Sequence, residues 1–140
     1  METKDVVAIL ISSLTFLLSL AATIISVVRS NREKQRAIKK EITDTLAKIV
    51  STNLEHAKLS RESVLKDQDE LYYQTVSGIL NQQNAFLLNQ ATYLADQVPD
   101  LVTAIEYNTI AAATANAGDL ISAERYYHLN YARNEAARRS

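Results

Sequence analysis

The residues able to do acid–base or metal chemistry in this chain are few and scattered. Only two histidines occur, His56 and His128. Neither is followed three or four residues on by a second ligand, as an HExxH zinc helix requires. With no cysteine there is no disulfide, no thiolate metal site and no thiol nucleophile. Gly78 and Gly118 are the only glycines, so no glycine-rich loop can cradle a phosphate, and there is no nucleophile-elbow signature. Asp67, Asp69 and Glu70 form a small acidic cluster, expected on a solvated helix face. No catalytic constellation emerges, and the expectation is a non-enzymatic protein with no cofactor and no metal. Seven tyrosines, all from Tyr72 onward, are the remaining chemical feature, because tyrosine is enriched at interfaces.

The elements that would position these residues are helices. Two glycines and one proline in 140 residues are too few for the turns of sheets and long loops, so the fold class is all-α with short connections. Residues 6–28 are apolar and uncharged. At ~1.5 Å per residue, about 20 such residues cross the hydrocarbon core of a bilayer, so a single N-terminal transmembrane helix is expected there. The 1–5 flank is roughly neutral, whereas Arg29, Arg32, Lys34, Arg36, Lys39 and Lys40 crowd the other side. That asymmetry predicts an outside N-terminus and a cytoplasmic bundle. The same basic residues are expected to favour anionic lipid headgroups. A cleaved signal peptide is disfavoured by the neutral start and the long apolar run. Ser12, Thr15, Ser19, Ala22 and Ser26 line one seam of the span, a geometry suited to self-association. The net charge of −1 argues against nucleic acid as a partner.

Residues 29–59 form a basic juxtamembrane segment and an amphipathic helix. Ile38, Ile42, Leu46, Ile49, Val50, Leu54 and Ala57 recur at steps of three and four. The heptad pattern then gives way to Asn53, His56 and Ser60, so this helix is expected to dock on those that follow. Residues 60–140 are expected to be a domain of helical hairpins. Ser60 is the predicted cap of a helix running to about Asn81, and 81–84 is the predicted turn to a helix ending before Val98-Pro99-Asp100. A third helix runs from Leu101 to Ala117, Gly118 caps it in the left-handed region, and Asp119 opens the last.

The hairpin over 104–137 resembles a tetratricopeptide repeat, a helix-turn-helix unit of 34 residues. The family's large aromatic, aliphatic, small and aromatic positions on the first helix fall on Tyr107, Ile110, Ala111 and Thr114. Its common Gly-Asp turn is Gly118-Asp119, and the second helix offers Ala123 and Tyr127. The departures are Thr114 for the usual tyrosine, Asn130 for a small residue and Glu135 for the closing proline. One repeat earlier, Tyr73, Val76, Ser77 and Leu80 fit fairly, but of Asn89 and Tyr93 only Tyr93 does. The resemblance implies close packing of Ala111 on Ala123 with Tyr107, Ile110 and Tyr127 filled in around them.

It also implies a concave wall made by the first helix of each hairpin. Gln74, Gly78 and Asn81 would line one side, with Asn108, Ala112 and Ala115 on the other. The missing basic residue argues against a carboxylate-terminated ligand and favours a helix or extended peptide. The expected function is a membrane-anchored adaptor or scaffold binding a protein partner at the cytoplasmic face. The alternative is a self-assembling, membrane-anchored helical bundle, a homo-oligomer built through the span seam and the Ile38 to Leu54 stripe.

Overall fold

The computed structural model describes the backbone of residues 3–66 and 70–139, and the side chains of 15–63 and 70–139. Four α-helices account for almost all of it: α1 (Thr3–Lys66), α2 (Glu70–Gln97), α3 (Ala104–Asn116) and α4 (Leu120–Arg139). A 3₁₀ turn, Pro99–Leu101, links α2 to α3. The chain divides into two compact units, Met1–Ala37 and Ile38–Ser140. The boundary at 60 expected for the helical domain therefore falls well inside its first helix.

In the first unit the expectation of a transmembrane helix is overturned. Among the described residues no helix is long and apolar enough to cross a membrane. Residues 6–14 of the expected span, with Ser12 of its seam, have side chains outside the described residues. Arg29 and Arg32 follow the apolar run at once. Single-pass membrane localisation with a cytoplasmic domain is corrected with it. Leu17, Ile24 and Val27 are exposed, and Arg29 pairs with Glu33 one turn on at 3.1 Å.

The second unit is built on an antiparallel pair. Glu41 accepts from Gln90, Asn53 from Asn84, His56 meets Ser77, and Ser60 meets Tyr73. The partner numbers fall on α2 as they rise on α1. Ile42, Leu46 and Ile49 of α1 are buried against Leu87, Ala91, Leu94 and Ala95 of α2. The Ile42, Leu46 and Ile49 part of the stripe expected to dock is thus covered within this unit. Val50 and Leu54 stay exposed, since at 100° per residue they turn away from the Ile42–Ile49 line.

Two predicted breaks are absent. Ser60 lies inside α1, and 81–84 lies inside α2. Gln is a good helix former, and Asn84, a poorer one, gains a partner in Asn53 across the pair. Tertiary pairing thus outweighs the local turn preference of a polar run. Asp67 and Asp69 of the acidic cluster lie outside the described residues.

The end of α2 turns where proline was expected to turn it. Val98 and Val102 are buried on either side of the 3₁₀ turn. Thr103 then caps α3 in a complete capping box: its hydroxyl accepts from the Glu106 N–H, and the Glu106 carboxylate accepts from the Thr103 N–H at 2.8 Å. Such a cap stabilises a helix by about 1 kcal/mol. At the far end Gly118 takes φ +86°, the left-handed conformation that lets Asp119 N–H reach Thr114 O. The Asp119 carboxylate accepts from Ser122 N–H at 3.0 Å and starts α4. Hydrogen bonds from the Ser122 hydroxyl and the Ser122 N–H hold the Asp119 carboxyl below its ordinary range.

Between α3 and α4, Tyr107, Ile110, Ala111, Thr114, Ala123 and Tyr126 are buried. The aromatic on α4 is one residue from its expected place. Tyr126 is 2% exposed and stacks on Tyr107 with ring centroids 6.2 Å apart, whereas Tyr127 is 44% exposed. Arg125 lies over the Tyr126 ring at 5.3 Å and pairs with Asp96 at 2.8 Å. That clamp on α2 favours the register with Tyr126 inward. Burial pushes the Tyr107 and Tyr126 hydroxyls above their ordinary pKa. A tetratricopeptide repeat is not shown by this arrangement.

Candidate functional site: an asparagine-lined groove

A groove of about 710 Å³ opens where α3 ends against the α1/α2 pair. Ile49 and Leu88 form its apolar base, and Ala57, Ala85, Ala113 and Ala117 keep its walls low. Asn53, His56, Ser60, Asn81, Asn84 and Asn116 supply its polar groups. Among the described residues, no Asp, Glu, Lys or Arg lines it.

The helix pair explains this composition. The α1 stripe is apolar through Ile49 and then continues on the same face as Asn53, His56 and Ser60. The pairing of α1 with α2 changes there from apolar packing to side-chain hydrogen bonds. Asn84 Nδ2 donates to Asn53 Oδ1 at 2.5 Å, and His56 Nε2 lies 2.8 Å from Ser77 Oγ. Asn84 Oδ1 is buried with no hydrogen-bond partner. An unmet buried acceptor costs about 1–3 kcal/mol.

The His56–Ser77 contact has the distance of a base and its nucleophile. Both residues sit mid-helix, where backbone N–H groups are committed to the helix and cannot form an oxyanion hole. The groove is equipped to hold polar groups in place, and the pair serves to join two helices.

The expected site residues are dispersed. Asn81 lines the groove. Gln74 is exposed on α2 and donates to Glu70 at 3.1 Å. Asn108 is exposed on α3 and Ala112 is half-buried. Ala115 belongs to a separate, shallower depression of about 540 Å³ with Leu120, Tyr127 and Tyr131. The predicted concave wall fails because α2 runs unbroken through 81–84, so no second short hairpin stands beside α3 and α4. Asn53, His56, Asn84 and Asn116 were missed. Their one sequence signal is the point where the heptad stripe of α1 turns polar. Of the basic residues expected to face lipid, Lys39 is engaged elsewhere: it pairs with Glu106 across to α3.

Burial pushes the Glu106 carboxyl up, but hydrogen bonds from Lys39, from the Thr103 N–H and hydroxyl, and from Thr43 outweigh it and hold the group below its ordinary range. Among the described residues no three His, Asp or Glu side chains gather as a metal-ligand group.

The fold and groove together define an all-α helical unit with an uncharged cleft. Comparison with protein families, curated proteins and solved structures finds no match to this chain.

Proposed function

We propose that the protein is a non-enzymatic helical adaptor whose groove at the end of α3 holds an uncharged segment of a partner protein. The observation that carries this reading is the groove's composition: asparagines and a histidine over an Ile49–Leu88 base, with no formal charge among the described residues. Asparagine amides both donate and accept, so they can satisfy the backbone of an extended strand or the polar edge of a helix. Alanine walls let a backbone approach closely.

The test is selection of peptides from a display library on the full chain. Selected peptides are expected to be rich in uncharged residues and to lose at least tenfold in affinity against Ala85→Trp, which fills the groove from an exposed α2 position. Peptides that bind the Ala85→Trp protein as well as the parent, or a library that yields none, would sink the reading.

A further inference from the structure

A second surface lies on the other flank of α2. Tyr72, Ile79, Phe86 and Tyr93 follow one another at a strict seven-residue interval. They are 55%, 58%, 69% and 68% exposed, respectively. At about 100° per residue, Ile79 lies roughly 160° around the helix from the groove residue Asn81, and Phe86 roughly 160° from Leu88 and about 100° from Ala85. A repeat of seven is the period of a helix seam that faces another helix, because the stripe then follows a left-handed supercoil.

The charge pattern identifies the occupant. From Leu71 to Ala95 α2 carries no Asp, Glu, Lys, Arg or His, in a chain that is 22% charged overall. About five charges would be expected over such a length, and their absence beside exposed aromatics matches the depleted centre of an interface. A two-fold contact sets the same patch against itself, so a charge near the axis would meet its own copy. An uncharged patch avoids that conflict.

The order of residues points the same way. About a centre between Gln82 and Gln83 the stripe is nearly palindromic: Tyr72 mirrors Tyr93, and Ile79 mirrors Phe86. A second α2 laid antiparallel would match large side chain to large side chain along ~31 Å of helix, with the glutamines at the axis. Four side chains of this size, each more than half exposed, offer roughly 400–600 Å² per copy. Doubled and with their polar neighbours, they reach the ~1,200 Å² at which specific dimers begin.

We infer that the chain forms a two-fold dimer through the outer face of α2, antiparallel, with Tyr72 of one copy beside Tyr93 of the other. This surface stands independently of the groove, so either can fail alone.

The chain has no native cysteine, which makes disulfide mapping unambiguous. Full-length Tyr72→Cys and Tyr93→Cys chains, mixed and mildly oxidised, are expected to cross-link to each other. Each alone is expected to stay uncross-linked, because its two thiols would lie ~31 Å apart. In parallel, Phe86→Glu is expected to raise the dimer dissociation constant at least 100-fold by sedimentation, with helicity unchanged at this exposed position and a melting temperature lower only by what the lost association contributed. Self-cross-linking of Tyr72→Cys alone, a mixture that does not cross-link, or a Phe86→Glu chain of unchanged mass would each overturn the dimer. So would a parent chain that sediments as a monomer, with α2 left for a different protein.

Discussion

The two ends of the α1/α2 pair are held by different physics. Toward α3 and α4, Ile42, Leu46 and Ile49 meet Leu87, Ala91 and Leu94 in a continuous core that Tyr107, Ile110 and Tyr126 close over. Toward Ser60, the same two helices meet through Asn53–Asn84, His56–Ser77 and Ser60–Tyr73, and Leu80 is the main buried apolar group among the described residues. Burial of apolar area is the dominant stabilising term, whereas a hydrogen bond exchanged with water contributes only about 0.5–1.5 kcal/mol. One end therefore carries the stability, and the other keeps polar groups accessible beside an open groove.

The largest expected contrast lies between neighbouring tyrosines. Tyr126→Ala removes the ring that closes the core and is expected to cost about 3–5 kcal/mol, while Tyr127→Ala costs under ~1 kcal/mol. Urea denaturation measures both, and equal costs would break the observed register. Next, Ile49→Ala is expected to lose about 2–5 kcal/mol, whereas His56→Ala, two turns on, loses ~1 kcal/mol. Hydrogen exchange sharpens the same comparison: amides of 53–63 and 70–84 should exchange well before those of 87–95.

Gly118→Ala forces a Cβ into the left-handed region at φ +86°, an expected loss of about 1–2 kcal/mol that Gly118→Asn partly avoids. The open space around Gly118 means that the cost is conformational. Thr103→Ala removes the capping box and should cost about 1 kcal/mol, read as a lower melting temperature.

The smallest effect is on pH. The Glu106 carboxyl is held below its ordinary value of 4.5 in the folded chain, so its contribution is fully present above that value. It is lost as pH falls from there through the lowered folded pKa. Glu106→Gln should flatten this part of the acid-unfolding curve, and an unchanged curve would separate the Lys39 pair from stability.

Much of the fold is legible in particular residues because the signals are local. The scarcity of Gly and Pro dictates helices, Pro99 ends one, Gly118 ends another, and the Ile42–Leu46–Ile49 period marks a face that must be covered. Ser60 and the 81–84 run misled because a polar residue has the same preferences at a turn as in a helix pair, and only its partner decides. The groove was barely legible: Asn53, Asn84 and Asn116 lie on three helices and acquire meaning only when brought together.

By itself, then, the chain determined its helical class, its last two turns and the apolar face of α1, since these depend on backbone geometry and period. The tertiary structure decided which tyrosine turns inward, where α2 runs without a break, and that an uncharged groove exists at all. Those outcomes depend on which side chains meet across helices far apart in sequence.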